Sequence, residues 1–311
     1  MSLNKANKAR VLSEGTRGHE IQSLTLATAL AHQHQINTIS VPIPWRWALP
    51  HHLPGLGFSL RHQLPDLAIV PQLIISTGRQ MAGAGRWLKK HQHQQAKHIH
   101  ILNPGYYFSD IDLVLIPEHD HYRYPRAIQF RGNLHPYNER WFKQQPQAKE
   151  TKKTRLALFI GNPGKAYFNR QFKTDLKRIH DTFRGAQLTI CGSPRLDRNT
   201  QDYIRAIKGA QDTMWLHPDD GDNPYQKLLA QADKIFVTAD SINMMNEAGA
   251  SPAALTLLAQ DFIKSKKHHR FMRSINHRLS AFDCLNKTRA LPDPVTQLLE
   301  NSDLLERLEL A

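Results

Sequence analysis

Residues 223–249, NPYQKLLAQADKIFVTADSINMMNEAG, decide the fold of this chain. Apolar residues at helical spacing precede the run Ile235–Val237, which has the composition of a buried parallel strand. The polar residues Thr238, Asp240 and Ser241 follow this strand, and a second helical pattern begins directly after them. This order is typical of an open α/β sheet, in which ligands bind beside such turns. The stretch therefore predicts half of a nucleotide-binding site.

The turn after this strand offers groups that suit a nucleotide. A hydroxyl at a helix N-terminus lies beside unpaired backbone amides, so we expect Ser241 to face a diphosphate. Glu247 follows nearly two helical turns later on the same side, where its carboxylate can hold ribose hydroxyls. The alternative is that Asp240 caps the helix and that Glu247 is an ordinary solvated residue. The spacing leaves both interpretations open.

The same alternation of short apolar strands and helical patterns extends on both sides of this stretch. It runs through residues 10–116, pauses at the polar segment 144–154 and then restarts. We therefore predict an α/β chain of two Rossmann-like, doubly wound domains that face each other across a cleft. The predicted ranges are 1–147 for the first domain, 148–292 for the second, and 293–311 for a C-terminal helix that packs back.

Composition limits the location and the partners. The 311 residues carry a formal net charge of +14 and include two cysteines, which are too few for a disulfide framework. With no apolar segment that resembles a signal peptide or a membrane span, we expect a cytoplasmic protein, with peripheral attachment at the inner membrane as the alternative. The charge suits phosphorylated substrates or anionic membranes. Nucleic acid is not expected as the main ligand, because no motif for it is present.

Candidate catalytic residues follow strands in the first half of the chain. His19 lies at the expected start of a helix, where the helix dipole disfavours the imidazolium and favours a neutral base. Glu118 and Asp120 follow another expected strand. Each has an ordinary alternative, since loop histidines and acidic turns are commonly just solvated. We expect no metal site there, because the H-E-x-x-H spacing is missing.

Several short motifs carry a resemblance. They are GHEIQ at 18–22, ISTGRQ at 75–80, RWL at 86–88, DLVLIPEHD at 112–120, RGNLH at 131–135, IGNP at 160–163, GDNPY at 221–225 and VTADSINMMNEA at 237–248. In these motifs the chain resembles the plant mitochondrial-fission (elongated mitochondria) family and its bacterial relatives, which are treated as glycosyltransferases of the two-Rossmann, GT-B type. The chain departs from the family pattern after Glu247, where GASPAALTLLAQ replaces a TGKPV-like turn.

The resemblance implies a nucleotide-sugar site in the second domain and an acceptor face in the first. The nucleotide sugar would be a substrate, and no further cofactor is expected. The implied donor-side residues are Gly161, Asn162, Asn223, Tyr225, Thr238, Asp240, Ser241 and Glu247, to which we add Arg195 as a cation for the leaving diphosphate. The implied acceptor-side residues are Gly18, His19, Ser76, Arg79, Glu118, His119 and Asp120.

Two functions from different classes follow. The first is a metal-independent glycosyltransferase that moves a sugar from a nucleotide-sugar donor to an envelope glycolipid or another phosphorylated acceptor, with His19, Glu118 or Asp120 as the base. The second is a non-catalytic adaptor that binds a protein or an anionic membrane through Trp45, Trp47 and the basic segment 264–273. Nucleotide-sugar epimerisation is a third interpretation within the same fold, and the fold alone does not choose among them.

Overall fold

The structure is a computed structural model that describes residues 4–64, 70–120, 124–125, 127–146 and 153–310. The chain divides into two compact units. Unit 1 comprises Met1–Pro136 and Pro294–Ala311, and unit 2 comprises Tyr137–Asp293. Each unit has its own parallel sheet with helices around it. The prediction of two Rossmann-like α/β folds is therefore confirmed.

Unit 1 contains a six-stranded parallel sheet in the order β2-β1-β3-β4-β5-β6. Its strands are β1 (Ala6–Ser13), β2 (Ala31–Thr38), β3 (Leu73–Thr77), β4 (Lys97–Ile101), β5 (Leu113–Pro117) and β6 (Ile128–Phe130). Its first helices are α1 (Arg17–Leu30), α2 (Trp45–Ala48), α3 (Leu56–Arg61) and α4 (Arg79–His91). Strand β2 begins earlier than the apolar run at 36–43 suggests, because it is an edge strand with mostly exposed side chains.

Unit 2 contains a five-stranded parallel sheet in the order β11-β10-β7-β8-β9. Its strands are β7 (Arg155–Ile160), β8 (Gln187–Gly192), β9 (Thr213–Trp215), β10 (Lys234–Thr238) and β11 (Ala254–Leu258). Its helices are α5 (Glu139–Gln144), α6 (Lys165–Tyr167), α7 (Lys173–Thr182), α8 (Arg198–Ile207), α9 (Tyr225–Gln231), α10 (Ile242–Ala250) and α11 (Lys266–Ser274). A π-helical turn at Phe168–Phe172 joins α6 to α7. All residues of β10 are buried, as expected for a central parallel strand.

Unit 2 begins at Tyr137, before the polar segment that suggested a linker. The Tyr137 and Trp141 rings stack edge to face at 4.8 Å, and Trp141 and Phe142 pack against the core of unit 2. Aromatic packing rather than loop polarity therefore decides where this unit starts. Residues 147–152, in the middle of the predicted linker, lie outside the described residues.

The C-terminal segment forms two short helices, α12 (Pro294–Leu299) and α13 (Ser302–Leu308), instead of the single helix expected over 293–311. The break falls at Asn301, whose side chain accepts a hydrogen bond from the Leu304 amide and so starts α13. The buried side chains of Leu298, Leu304 and Leu308 join the core of unit 1. Within the described part of the chain, every helix is too short or too polar to cross a bilayer.

Candidate functional site

The candidate site lies at the carboxyl edge of the unit 2 sheet. Strands β10, β7 and β8 are neighbours, so the turns that follow them meet along this edge. These turns are residues 161–164 after β7, 193–195 after β8 and 239–241 after β10. The sequence places polar or glycine residues in each of them, which is where an open α/β sheet binds its ligands.

Asp240 links these turns. Its Oδ2 accepts a hydrogen bond from the Asn162 amide at 2.6 Å, and its Oδ1 accepts one from Thr238 Oγ1 at 2.7 Å. The Gly161 amide donates to the same Thr238 hydroxyl at 2.8 Å. Arg195 Nη2 lies 3.8 Å from Asp240 Oδ2, with its side chain 58% exposed. The carboxylate therefore holds the turns in place, and the guanidinium beside it remains accessible to an anion.

Two of the turn residues have local structural reasons for their identity. A Cβ on Gly161 would lie 2.2 Å from Asp240 Oδ2, so only glycine allows this close approach. Ser241, and not Asp240, caps α10, because its Oγ accepts a hydrogen bond from the Met244 amide. The alternative in which Asp240 is the cap is therefore wrong.

A second group of predicted donor residues surrounds Glu247 on α10. Tyr225 Oη donates to Glu247 Oε2 at 2.6 Å, and the Tyr225 amide donates to Asn223 Oδ1 at 2.9 Å. The Tyr225 ring packs on Phe159 with 4.6 Å between centroids. Burial, with the Glu247 charge adding to it, raises the pKa of Tyr225 well above its ordinary value, so the phenol stays a donor. Glu247 is buried, which contradicts its interpretation as a solvated residue.

Sequence reasoning missed His268. Its Nε2 lies 2.9 Å from the Asp240 carbonyl oxygen, which connects α11 to the turn after β10. Burial is the main cause that lowers the pKa of His268 below its ordinary value, so the neutral ring donates this bond. The basic segment at 264–273 marked this helix in the sequence, but nothing in the pattern indicated that it reaches the site.

In unit 1, His19 lies in the first turn of α1, as predicted, and pairs with Glu14. His19 Nδ1 is 2.9 Å from Glu14 Oε1, with the two side chains 30% and 19% exposed. Gly78, at φ +85°, lies so close that a Cβ would be 2.9 Å from the imidazole. A carboxylate on Nδ1 fixes the tautomer and leaves Nε2 to accept a proton. Sequence reasoning missed Glu14, although it directly follows the first strand.

Two residues implied on the acceptor side have structural partners. Ser76 is fully buried, and its Oγ lies 2.8 Å from both His98 Nε2 and His100 Nδ1. Arg79 donates from Nε to the Leu49 carbonyl oxygen at 2.6 Å and from Nη2 to that of Trp47 at 2.7 Å. Ser76 therefore belongs to the polar interior of unit 1, and Arg79 holds the segment that contains α2.

The acidic turn after β5 lies apart from His19. Glu118 Oε2 is 3.6 Å from Arg131 Nε, and Asp120 Oδ1 is 4.0 Å from Nε2 of the buried His119. The sheet order places β5 three strand spacings from β1, or about 14 Å. The structure thus does not bring His19 together with Glu118 or Asp120. No group of three His, Cys, Asp or Glu residues within the described ranges is arranged to hold a metal ion.

Related sequences point to one family. The model of the Mitochondrial fission ELM1 family matches residues 17–300. The uncharacterized protein RP120 of Rickettsia prowazekii (strain Madrid E) is 24% identical over 318 residues, covering 85% of this chain and 87% of that protein. The Mitochondrial fission protein ELM1 of Arabidopsis thaliana is 22% identical over 278 residues, covering 78% of this chain and 64% of that protein. The match therefore spans less than two thirds of the Arabidopsis protein.

Solved structures support the fold. The S. aureus MnaA–UDP co-structure superposes with a TM-score of 0.52 at 13% identity, covering 98% of both chains. The glycotransferase of kitacinnamycin superposes with a TM-score of 0.51 at 12% identity, covering 98% of this chain and 93% of that one. At such low identity the likeness shows the fold and nothing finer. The chain has a GT-B-type α/β fold and belongs to the Mitochondrial fission ELM1 family.

Proposed function

We propose that this protein is a glycosyltransferase that binds a nucleotide sugar at the carboxyl edge of the unit 2 sheet. The observation that carries the proposal is the Asp240-centred arrangement of turns, with the Arg195 guanidinium and the first turn of α10 beside it. A guanidinium and a helix N-terminus are suited to a diphosphate. MnaA, a protein of the same fold, was solved with UDP, which makes a uridine nucleotide the first ligand to test.

The proposed reaction assigns a role to each group. The acceptor oxygen attacks the anomeric carbon, and the bond from that carbon to the diphosphate oxygen breaks with its electron pair. Arg195 and the α10 dipole stabilise the negative charge on the leaving diphosphate. His19 Nε2 takes the proton of the acceptor hydroxyl, while Glu14 orients the ring and stabilises the imidazolium. An envelope glycolipid or another phosphorylated molecule is the acceptor class that the basic charge favours.

Glu118 and Asp120 become the weaker candidates for the base. Glu118 is half exposed beside Arg131, and neither carboxylate lies near His19. His19 has a carboxylate partner in Glu14, which fixes the tautomer that leaves Nε2 to accept a proton. Nucleotide-sugar epimerisation would use the same donor site. Its product would be an epimerised sugar instead of a glycosylated acceptor, so product analysis distinguishes the two reactions.

A non-catalytic adaptor is the second candidate function. One observation favours it: the Trp47 side chain is 71% exposed. Trp45 gives less support, because its indole Nε1 donates to the Pro54 carbonyl oxygen at 2.9 Å within the same segment. An adaptor would bind its partner with no sugar transfer, so an assay of sugar transfer separates the two functions.

The donor site is tested by the Gly161→Ala variant, which forces the Asp240 carboxylate away from its partners. The assay is a thermal-shift panel of nucleotides and nucleotide sugars, with and without magnesium. A true ligand at roughly 100 times its dissociation constant should raise the free energy of unfolding of the wild type by about 2.7 kcal/mol. We expect Gly161→Ala to lose this gain. Gly185→Ala is the matched control, since its φ of +78° strains alanine while no atom lies near the new Cβ. An equal ligand shift in Gly161→Ala and the wild type contradicts the proposed site.

The base is tested by His19→Ala. Loss of a general base lowers turnover by about 10²- to 10⁴-fold, and we expect a decrease of this size. Turnover is measured as the rate at which the diphosphate is released from the nucleotide sugar that the wild type binds. Donor affinity, measured in the same variant, separates a loss of turnover from a loss of binding. Glu14→Gln should give a smaller loss, and His32→Ala, an exposed histidine on the same unit, should give none. Unchanged turnover in His19→Ala would remove His19 from the mechanism.

A further inference from the structure

Four large apolar side chains of one segment of unit 1 are exposed. They are Ile43 (58%), Trp47 (71%), Leu53 (42%) and Phe58 (80%), here called the apolar patch. We propose that the apolar patch docks this protein onto the surface of a bilayer that contains anionic lipids. This docking needs neither nucleotide nor catalysis, so it stands or falls apart from the proposed function.

The patch is held on one side of helix α4. At one end Arg79 Nη2 donates to the Trp47 carbonyl oxygen. Nearly two turns later along the helix, Arg86 Nη1 donates to the Pro50 carbonyl oxygen at 2.8 Å. Gly57 lies against the Trp87 ring, with 3.2 Å from a Cβ to that ring. These anchors span residues 79 to 87 of the helix, or about 12 Å. The backbone from Trp47 to Gly57, which carries Leu53 and leads directly to Phe58, is therefore fixed within a small area.

The exposed side chains are not part of the unit 1 core. Helix α3 buries Leu56 and Leu60 in that core, whereas Phe58 between them is turned out to solvent. In the same way the segment buries Leu49 but exposes Trp47. The exposed side chains of the apolar patch therefore do not contribute to the unit 1 core. A group of large apolar side chains on a surface marks an interaction site.

The charge of the segment that carries the patch favours an anionic lipid surface as the partner. No Asp or Glu occurs from residue 21 to residue 65, while Arg46 and Arg61 are exposed within or beside the patch. Tyr106, 56% exposed, packs edge to face on His51 at 4.6 Å and extends the group with an amphipathic ring. Tryptophan and tyrosine favour the headgroup level of a bilayer, and arginine is attracted to anionic lipid. This combination is typical of interfacial anchors.

The test is co-sedimentation of the full chain, without nucleotide, with vesicles of phosphatidylcholine or of an equal mixture of phosphatidylcholine and phosphatidylglycerol. The wild type should bind the mixed vesicles and not the neutral ones. Trp47→Ser/Phe58→Ser should lower the partition coefficient by about tenfold or more. Leu285→Ser removes a similarly exposed side chain from unit 2 and should bind as the wild type does.

Three results would overturn the proposal. The first is that the wild type binds neither vesicle type. The second is that Trp47→Ser/Phe58→Ser binds as the wild type does, with binding lost instead in Lys264→Gln/Lys266→Gln/Arg273→Gln, which places the contact on α11. The third is a concentration-dependent dimer in sedimentation velocity that the patch variant abolishes, which makes a second copy the occupant. A circular dichroism spectrum and a urea-unfolding midpoint like those of the wild type exclude misfolding of the patch variant.

Discussion

Replacing Arg278 with methionine should lower the free energy of unfolding of unit 2 by about 3–5 kcal/mol. The Arg278 side chain is fully buried. Its Nε donates to the Gly249 carbonyl oxygen at 2.8 Å, and its Nη2 donates to those of Ser251 and Ala253 at 2.7 and 2.6 Å. Its Nη1 donates to Thr288 Oγ1 at 2.7 Å. Methionine fills most of the volume but leaves these acceptors without their donor.

Urea unfolding followed by circular dichroism measures this loss. Burial lowers the pKa of Arg278 to about 10, so the guanidinium is still charged at neutral pH and its charge is shared among the four oxygens. Arg278→Lys keeps the charge but not the planar arrangement of donors, and we expect an intermediate loss. A stability of Arg278→Met within about 1 kcal/mol of the wild type would show that these bonds contribute little.

Arg278 also holds the segment in which we expect the chain to depart from the family pattern. The segment GASPA after Glu247 replaces the expected turn, and its carbonyl oxygens are the ones that Arg278 holds. The buried guanidinium therefore fixes the path from α10 into β11. Glu247, a predicted donor-side residue, lies in the last turn of α10, so its position depends on the same support.

The second large effect is a loss of stability of unit 1 in mild acid. His98 and His100 are both fully buried. Burial is the largest cause that lowers the pKa of His98 to about 3, with Lys89 and Arg86 adding to it. Burial also lowers the pKa of His100 well below 6.5, with His98 as the next cause. Both rings are therefore neutral in the folded unit.

The direction of this pH effect on stability depends on how many protons the folded and unfolded states bind. Below about pH 6.5 the unfolded chain protonates both histidines while the folded chain does not, so unfolding is favoured as the pH falls. Below about pH 6.5 the two groups together lower the free energy of unfolding by up to about 2.7 kcal/mol per pH unit. Above about pH 6.5 both histidines are neutral in both states, and this loss of stability is absent. Urea unfolding at a series of pH values between about 7.5 and 5 measures this slope.

A double variant isolates the two histidines. His98→Gln/His100→Gln removes both titrating groups and should flatten the pH dependence, even where it lowers stability at neutral pH. His32→Gln/His34→Gln is the matched control, since both residues are exposed on β2 and should leave the slope as it is. The same steep slope in the His98/His100 variant would assign the acid sensitivity to other groups.

The residues that sequence analysis placed well are those governed by local rules. Thr238 and Asp240 lie at the end of a fully buried strand, and parallel topology carries the ends of β7 and β8 to the same edge. The hydroxyl of Ser241 caps the next helix for the same local reason. The turn group of the candidate site was therefore predictable from strand, turn and helix order alone.

The residues that were missed depend on packing between distant segments. His268 reaches Asp240 only because α11 packs against the core of unit 2, and no periodicity encodes that distance. The bond from the Asn162 amide to Asp240 was missed for the same reason, because it joins turns that are far apart in the sequence. The start of strand β2 at Ala31 could not be predicted, because an edge strand with exposed side chains shows little apolar pattern.

We propose that unit 2 binds a nucleotide through the turns around Asp240, a claim that titration calorimetry with UDP can test. We expect binding by the wild type, and affinity weakened about tenfold or more in Arg195→Gln because a charge-assisted contact to the diphosphate is lost. Arg198→Gln removes an equal charge from an exposed position on α8 and should bind as the wild type does. Equal affinity in Arg195→Gln, or no binding of UDP, ADP or GDP by the wild type, would contradict the claim.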